Sequence, residues 1–158
     1  MSDVIIREAQ EKDLDRVNDL LLQVLAIHAN KRPDIFKLGT KKYTNEQLLA
    51  IFDDPQLPVF VATVNDEVVG YSFCVFQNNE ETENMHAMKT LYIDDLCVDQ
   101  NCRGKKVGSH LYQHVLKYAK ENGCYNVTLN VWALNEDAYH FYLKMGLLPL
   151  KTTMEKIL

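Results

Sequence analysis

Leu91-Tyr92-Ile93-Asp94-Asp95-Leu96-Cys97-Val98 runs through Asp99-Gln100-Asn101-Cys102 into Arg103-Gly104-Lys105-Lys106-Val107-Gly108-Ser109. An apolar strand ends, a short polar turn follows, and two glycines flank the first turn of an amphipathic helix. Val107, Leu111, Val115 and Ala119 give that helix one apolar face, and Asn122-Gly123 stops it. The first N–H groups of a helix lack intrahelical partners and carry the positive end of its dipole, so this order of elements offers a seat for a phosphate. The spacing excludes two other phosphate motifs. A nucleotide P-loop has lysine and Ser/Thr directly after its last glycine. Here Lys105 and Lys106 lie between Gly104 and Gly108, and Ser109 follows the second glycine with no lysine before it. A dinucleotide fingerprint needs three spaced glycines in an early βαβ unit, and neither is present. The plain alternative is an ordinary strand–turn–helix connection with Gly104 in the turn.

Further on, Asn135, Ala138, Phe141, Tyr142 and Gly146 stand in the order Asn-x-x-Ala-x-x-Phe-Tyr-x-x-x-Gly, after the strand-like Asn126-Val127-Thr128-Leu129-Asn130-Val131-Trp132. Asn135 suits a helix N-cap, Ala138 and Phe141 share a face, and Gly146 can end the helix. Phe141 reads as core, whereas the Tyr142 hydroxyl needs a partner where it is buried.

These two stretches, in this order, resemble the signature of the GCN5-related N-acetyltransferase (GNAT) superfamily. In that family an Arg/Gln-x-x-Gly-x-Gly/Ala loop opens the helix after the fourth strand, and the Asn–Tyr helix follows the fifth. Arg103 opens the loop motif and Gly108 closes it, with Lys106 standing where the family has its central glycine. The resemblance covers the whole chain and is sharpest over residues 91–146. It implies an α/β (mixed α+β) chain with the acyl-CoA N-acyltransferase fold, a mixed, mainly antiparallel central sheet flanked by helices. It implies acetyl-CoA as cosubstrate. The coenzyme would be held by the backbone at Leu96, Cys97 and Val98, by the loop Arg103, Gly104, Lys105, Lys106, Val107, Gly108 and Ser109, and by Asn135 and Ala138. Tyr142 would lie near the sulfur as general acid.

Tyr92-Ile93-Asp94-Asp95 is similar to the Tyr-Leu-Glu-Asp strand of diamine acetyltransferases. By that match Asp94 is the base, one methylene shorter than the family's glutamate and reaching through a water, and Asp95 helps bind the amine. Strand alternation puts the two acids on opposite faces. The bland reading of either is a solvated or salt-bridged acid at a strand bulge. The resemblance also implies that the first-helix region overlies the acceptor groove, which makes His28, Arg32, Asp34 and Phe36 candidate substrate contacts. A surface Arg–Asp pair is the alternative there.

Length and composition agree with one domain over residues 1–158, large enough for a substantial core. Hydrophobic residues make up 47% and charged residues 25%, as in globular proteins. The net charge of -5 gives no electrostatic footprint for nucleic acid and favours a cationic small substrate. No apolar run approaches the ~20 residues of a membrane span, and no signal-peptide core opens the chain, so a cytoplasmic protein without membrane association is expected. Cys74, Cys97, Cys102 and Cys124 lack Cys-x-x-Cys spacing, and no disulfides are expected. Cys97 reads as an apolar filler of a core strand. His86, His110, His114 and His140 share no metal-ligand spacing, and no metal is expected.

The remaining chain alternates between elements. Val4-Ile5-Ile6-Arg7 reads as a strand, and Asp13 as the cap of a helix bearing Leu14, Val17, Leu21, Val24 and Leu25 at helical spacing. Thr44 and Gln47 form a capping box ahead of Leu48, Leu49 and Phe52. Residues 59–64 and 68–75 flank a hairpin turn at Asn65-Asp66-Glu67. Residues 77–86 read as a mobile loop, and residues 147–158 as a last hairpin around Pro149. The expectation is an N-acetyltransferase acting on a primary amine by direct attack in a ternary complex, with a small cationic amine favoured. A protein N-terminus or lysine is the enzymatic alternative, and a non-catalytic acyl-CoA-binding regulatory module the other. A homodimer through the C-terminal strand fits the fold.

Overall fold

Runs of β-branched and aromatic residues form the sheet at the centre of the molecule, whose computed structural model describes residues 3–158. The strands are β1 (Ile5–Glu8), β2 (Val59–Val64), β3 (Glu67–Asn79), β4 (Met88–Val98) and β5 (Asn126–Leu129), in the order β1-β2-β3-β4-β5. All pairs are antiparallel except β4–β5, which is parallel. Asn65 and Asp66, with φ of 50° and 63°, make the tight β2–β3 turn whose hand matches the strand twist. β3 continues to Asn79, past the start of the expected loop, because residues 76–79 pair with residues 88–91.

Alternating strand residues feed two cores. Phe60, Ala62, Leu91 and Ile93 pack with Val107, Leu111, Val115 and Ala119 of α3 (Val107–Glu121) on one face. Val59, Val61, Tyr71, Phe73 and Cys97 pack with Val17 and Leu20 of α1 (Leu14–Lys31) and Leu48 of α2 (Asn45–Asp53) on the other. Gly70 permits the close approach of α3: a Cβ there would lie 2.9 Å from the Cys97 carbonyl oxygen and 3.2 Å from Val107. The Thr44–Gln47 capping box is present in full. Asp13 acts differently from expectation. It ends a 3-10 turn before α1, and its carboxylate accepts from the Gln10 N–H and from Arg7 rather than capping α1. The last helix, α4 (Glu136–Lys144), is capped by Asn135, whose side chain accepts from the Ala138 N–H.

One irregularity decides how the site is built. Phe73 pairs with Asp95 and Cys74 with Ile93, so Asp94 is an extra, unpaired residue, a β-bulge. Before it, Leu91 and Ile93 face the α3 core; after it, Leu96 and Val98 do, while Cys97 faces α1. The bulge therefore shifts the parity of β4. It overturns the expectation that Asp94 and Asp95 point to opposite faces, because both line the same cleft.

β4 also parts from β5. Their pairing runs from Thr90–Asn126 to Ile93–Leu129 and stops there, short of the strand expected through Trp132. The Asp99 N–H donates to the Val69 carbonyl at 2.8 Å. Alternation along β4 then turns the N–H and C=O groups of Val98 and Leu96 away from β3, toward the open side. Residues 147–158 form no hairpin and belong to no sheet. Alternation alone does not make a strand, and no strand among the described residues pairs with this segment.

Candidate active site

The cleft opened by the β4–β5 split occupies about 1950 Å³. Tyr112 and Leu116 of α3 line it, whereas none of residues 96–111, the start of α3 included, does. Asp99 anchors the preceding turn, accepting from the Asn101 N–H at 2.9 Å and from Arg16 Nη2 at 2.7 Å. Gly104 then takes φ of 89°, and Lys106 takes the left-handed conformation, φ 61° and ψ 23°. That conformation explains why glycine would suit position 106, and a lysine adopts it here. No side chain caps α3. The early N–H groups of α3 and its dipole are left for an outside anion, and Arg103, Lys105 and Lys106 are exposed around them. The Val107 side chain is core, so only its backbone can serve a ligand. Gly108 has a packing role: a Cβ there would lie 3.3 Å from Phe141 Cζ, which ties α3 to α4.

Phe141 is therefore packing, and its neighbour Tyr142 reaches into the cleft. Burial, followed by the nearby Asp95 and Tyr112, pushes the Tyr142 phenol well above its usual range, so it stays protonated. Its hydroxyl has no protein partner among the described residues.

The two acids differ sharply. Asp94 is exposed and accepts from Lys42 Nζ at 3.1 Å. Burial opposes the Lys42 charge, yet the bond to Asp94 raises its pKa overall. Asp95 is half-buried, and burial pushes its carboxyl up to about 6, although the bond from Tyr71 Oη at 2.7 Å pulls it down. Asp95 is also the charge acting most strongly on Tyr142. The carboxyl and the phenol line the same cleft.

Among the remaining candidates, the Cys97 side chain is a neutral filler, its thiol raised by burial to about 12 and directed at the Leu20 carbonyl. His28 and Phe36 stack at 5.1 Å, and Trp132 meets Phe36 edge-on at 5.2 Å, forming an aromatic wall of the cleft. Burial, then Lys31 and Lys42, lowers the His28 pKa and keeps the ring neutral. Arg32 and Asp34 form a bidentate pair at 2.9 and 2.8 Å, and Arg32 also holds Glu155 at 2.6 Å. Arg32 lines the cleft; Asp34 does not, and it fits the surface-pair reading. The Asn135 oxygen is committed to its cap, which leaves only its amide N–H groups for a ligand.

Four residues escaped sequence reasoning: Tyr71, Lys42, Trp132 and Arg16. Tyr71 sits in an apolar strand run and Lys42 in a polar loop, so neither carries a local signal. Among the described residues, no group of three or more His, Cys, Asp or Glu is arranged to hold a metal ion. No helix of those residues is long and apolar enough to cross a membrane.

The sequence model of the acetyltransferase (GNAT) family matches residues 23–147. An uncharacterized N-acetyltransferase of Methanocaldococcus jannaschii is 26% identical over 141 residues, covering 89% of this chain and 59% of that protein. The chain thus spans 59% of the length of that curated relative. A solved tetramutant of the BH1408 protein from Bacillus halodurans superposes with a TM-score of 0.93 at 32% identity, covering 98% of this chain and 99% of that one. An aminoglycoside N-acetyltransferase solved in complex with coenzyme A shares the fold, with a TM-score of 0.73 at 14% identity and coverage of 99% and 95%.

Proposed function

The chain belongs to the acetyltransferase (GNAT) family, and from that premise we propose that it acetylates the primary amine of a small molecule, using acetyl-coenzyme A in a ternary complex. The observation that carries this reading is that Asp95 and Tyr142, a candidate proton acceptor and a candidate proton donor, line one cleft. The coenzyme, when bound, supplies the acetyl group as a thioester. The residues present suit it. The uncapped N–H groups at the start of α3, with Arg103, Lys105 and Lys106, suit a diphosphate. The outward amides of Leu96 and Val98 suit an extended amide-bearing arm laid along β4, and the Leu96 N–H is the candidate donor to a carbonyl oxygen.

In this reading Asp95, rather than the Asp94 of the strand resemblance, takes the proton from the acceptor ammonium. A carboxyl near 6 is a better base at neutral pH than one at the reference value of ~3.9. Lys42 bonds Asp94 and also lowers the Asp95 pKa, so with both acids ionised the three groups keep one net negative charge for a single ammonium. Tyr142 gives its phenolic proton to the departing sulfur. No covalent enzyme intermediate is required, because holding both reactants in line can itself contribute ~7–11 kcal/mol. His28, Phe36 and Trp132 would flank the body of the acceptor.

Free-thiol release from acetyl-coenzyme A across an amine panel tests the reading. Release that depends on a small amine is expected. Coenzyme binding without release would make the chain an acyl-coenzyme A-binding module, and release with peptides alone would move the acceptor to a protein amine.

A further inference from the structure

The charge of the cleft runs against the charge of the chain. The chain carries a net -5. Yet Lys31, Arg32, Lys37, Lys41, Lys42 and Lys151 line the cleft, against three acids, Asp94, Asp95 and Glu155. Two of these cations are already paired with acids. Arg32 holds Asp34 at 2.8 Å and Glu155 at 2.6 Å, and Lys42 holds Asp94 at 3.1 Å. The Lys31 ammonium donates to the Leu134 carbonyl, a partner without charge. Lys37, Lys41 and Lys151 are exposed, and among the described residues their ammonium groups enter no ion pair or hydrogen bond. None of them belongs to the group suited to the diphosphate, because Arg103, Lys105 and Lys106 lie outside the lining of the cleft.

The two signs also come from different elements. Asp94 and Asp95 belong to β4. Lys37 and Lys41 belong to the connection between α1 and α2, and Lys151 to the segment after α4. Segments far apart in sequence thus bring like charges to one cleft, with no acid of the chain paired to them. Clustered charge of one sign raises the local concentration of a ligand of the opposite sign. On the acidic side, Lys42 limits what can bind. A second ammonium near Asp94 would meet the Lys42 charge there and the free lysines elsewhere in the cleft. Like charges brought together cost binding energy.

We propose that the acceptor is an amine that carries an oxyanion at its other end, a carboxylate or a phosphate, received by Lys37, Lys41 and Lys151. The proposal rests on the acetyl-transfer reading for the role of the amine and names the class of acceptor within it. The ammonium meets the Asp94–Asp95 side of the cleft, and the oxyanion meets cations that no carboxylate of the chain occupies. Lys42 sets the choice, since it cancels one acid and so turns diamines away. The overall negative charge, which by itself favours a cationic substrate, describes the rest of the molecule and not this cleft.

Trp132 is the one tryptophan of the chain and lines the cleft, so its fluorescence reads acceptor binding without turnover. The full chain is titrated with hexylamine, α,ω-diaminohexane, ω-aminohexanoate and ω-aminohexyl phosphate. One of the two acids should bind about tenfold tighter than hexylamine, and the diamine weakest. The tighter acid identifies the oxyanion, and added salt should compress the ranking. Lys37→Gln, Lys41→Gln and Lys151→Gln together should cost that acid more affinity than hexylamine, while calorimetry finds coenzyme A bound as in the parent. Lys42→Met should tighten the diamine. No fluorescence response to either acid, a diamine that matches the acids, or a ranking unmoved by the triple variant would each overturn the proposal. So would a loss of coenzyme affinity equal to the loss for the acid, which would assign the lysines to the coenzyme's phosphates. The expected ranking without thiol release from any of the amines would instead sink the acetyl-transfer reading and leave the acid-bearing amine as the ligand.

Discussion

Tyr71 Oη donates to Asp95 Oδ2 at 2.7 Å across the β3–β4 pair, so a core phenol sets the proton affinity of a carboxylate on the cleft. Burial raises that carboxyl and the Tyr71 bond lowers it, with a net position of about 6. If Asp95 is the base, kcat/KM rises with pH through a midpoint near 6. Tyr71→Phe removes the largest influence that opposes burial and moves the midpoint up. Asp94→Asn removes a charge that raises Asp95 and frees Lys42, so it moves the midpoint down. A profile indifferent to both substitutions would remove Asp95 from proton transfer.

The same group leaves a mark on stability. Its carboxyl titrates near 3.8 when unfolded and near 6 when folded, so the folded chain binds its proton more tightly. Below the unfolded value both states are protonated and nothing is lost. Stability then falls as pH rises through that window and levels off above it. Asp95→Asn keeps an acceptor for Tyr71 and removes the titration. Thermal unfolding should find the variant equal to the parent near the lower bound and more stable at neutral pH, by up to about 3 kcal/mol. An advantage that does not grow across this window would contradict the raised carboxyl.

Tyr142→Phe should lower kcat by about 10²-fold while leaving coenzyme affinity nearly unchanged, because only the proton donor is lost. Burial and Asp95 keep the phenol protonated beyond its ordinary range. Turnover of the parent should therefore show no descending limb from this group at moderately alkaline pH. Full turnover in the variant at saturating coenzyme would exclude Tyr142 as the acid.

Lys106→Gly separates backbone from charge. A left-handed non-glycine residue costs about 1–2 kcal/mol, partly offset by the greater freedom of glycine in the unfolded chain. The variant should unfold at an equal or higher temperature. It also loses an ammonium beside the start of α3, so calorimetry should find weaker coenzyme binding with a shallower salt dependence. Tighter binding in the variant would mean that the side chain crowds the ligand.

Much of the fold was legible because it follows from local rules. Val107, Leu111, Val115 and Ala119 are all buried, as their spacing requires, and Thr44, Gln47 and Asn135 cap where their chemistry predicts. The site was legible only where a motif was contiguous. A single bulged residue at 94 is invisible to a period-two reading, and it reversed the assignment of faces to the acids. Tyr71 and Lys42 act on Asp95 and Asp94 from distant parts of the chain, so no window contains both members of either pair.

The extra residue in β4 makes chain length, more than side-chain identity, the quantity under constraint at that point. A deletion of position 94 would turn residues 95–98 over like a page. The carboxylate would enter the oily layer beneath α3, and Leu96 and Val98 would face α1. Variants that shorten this strand should be far rarer among functional sequences than variants that exchange Asp94 for another residue.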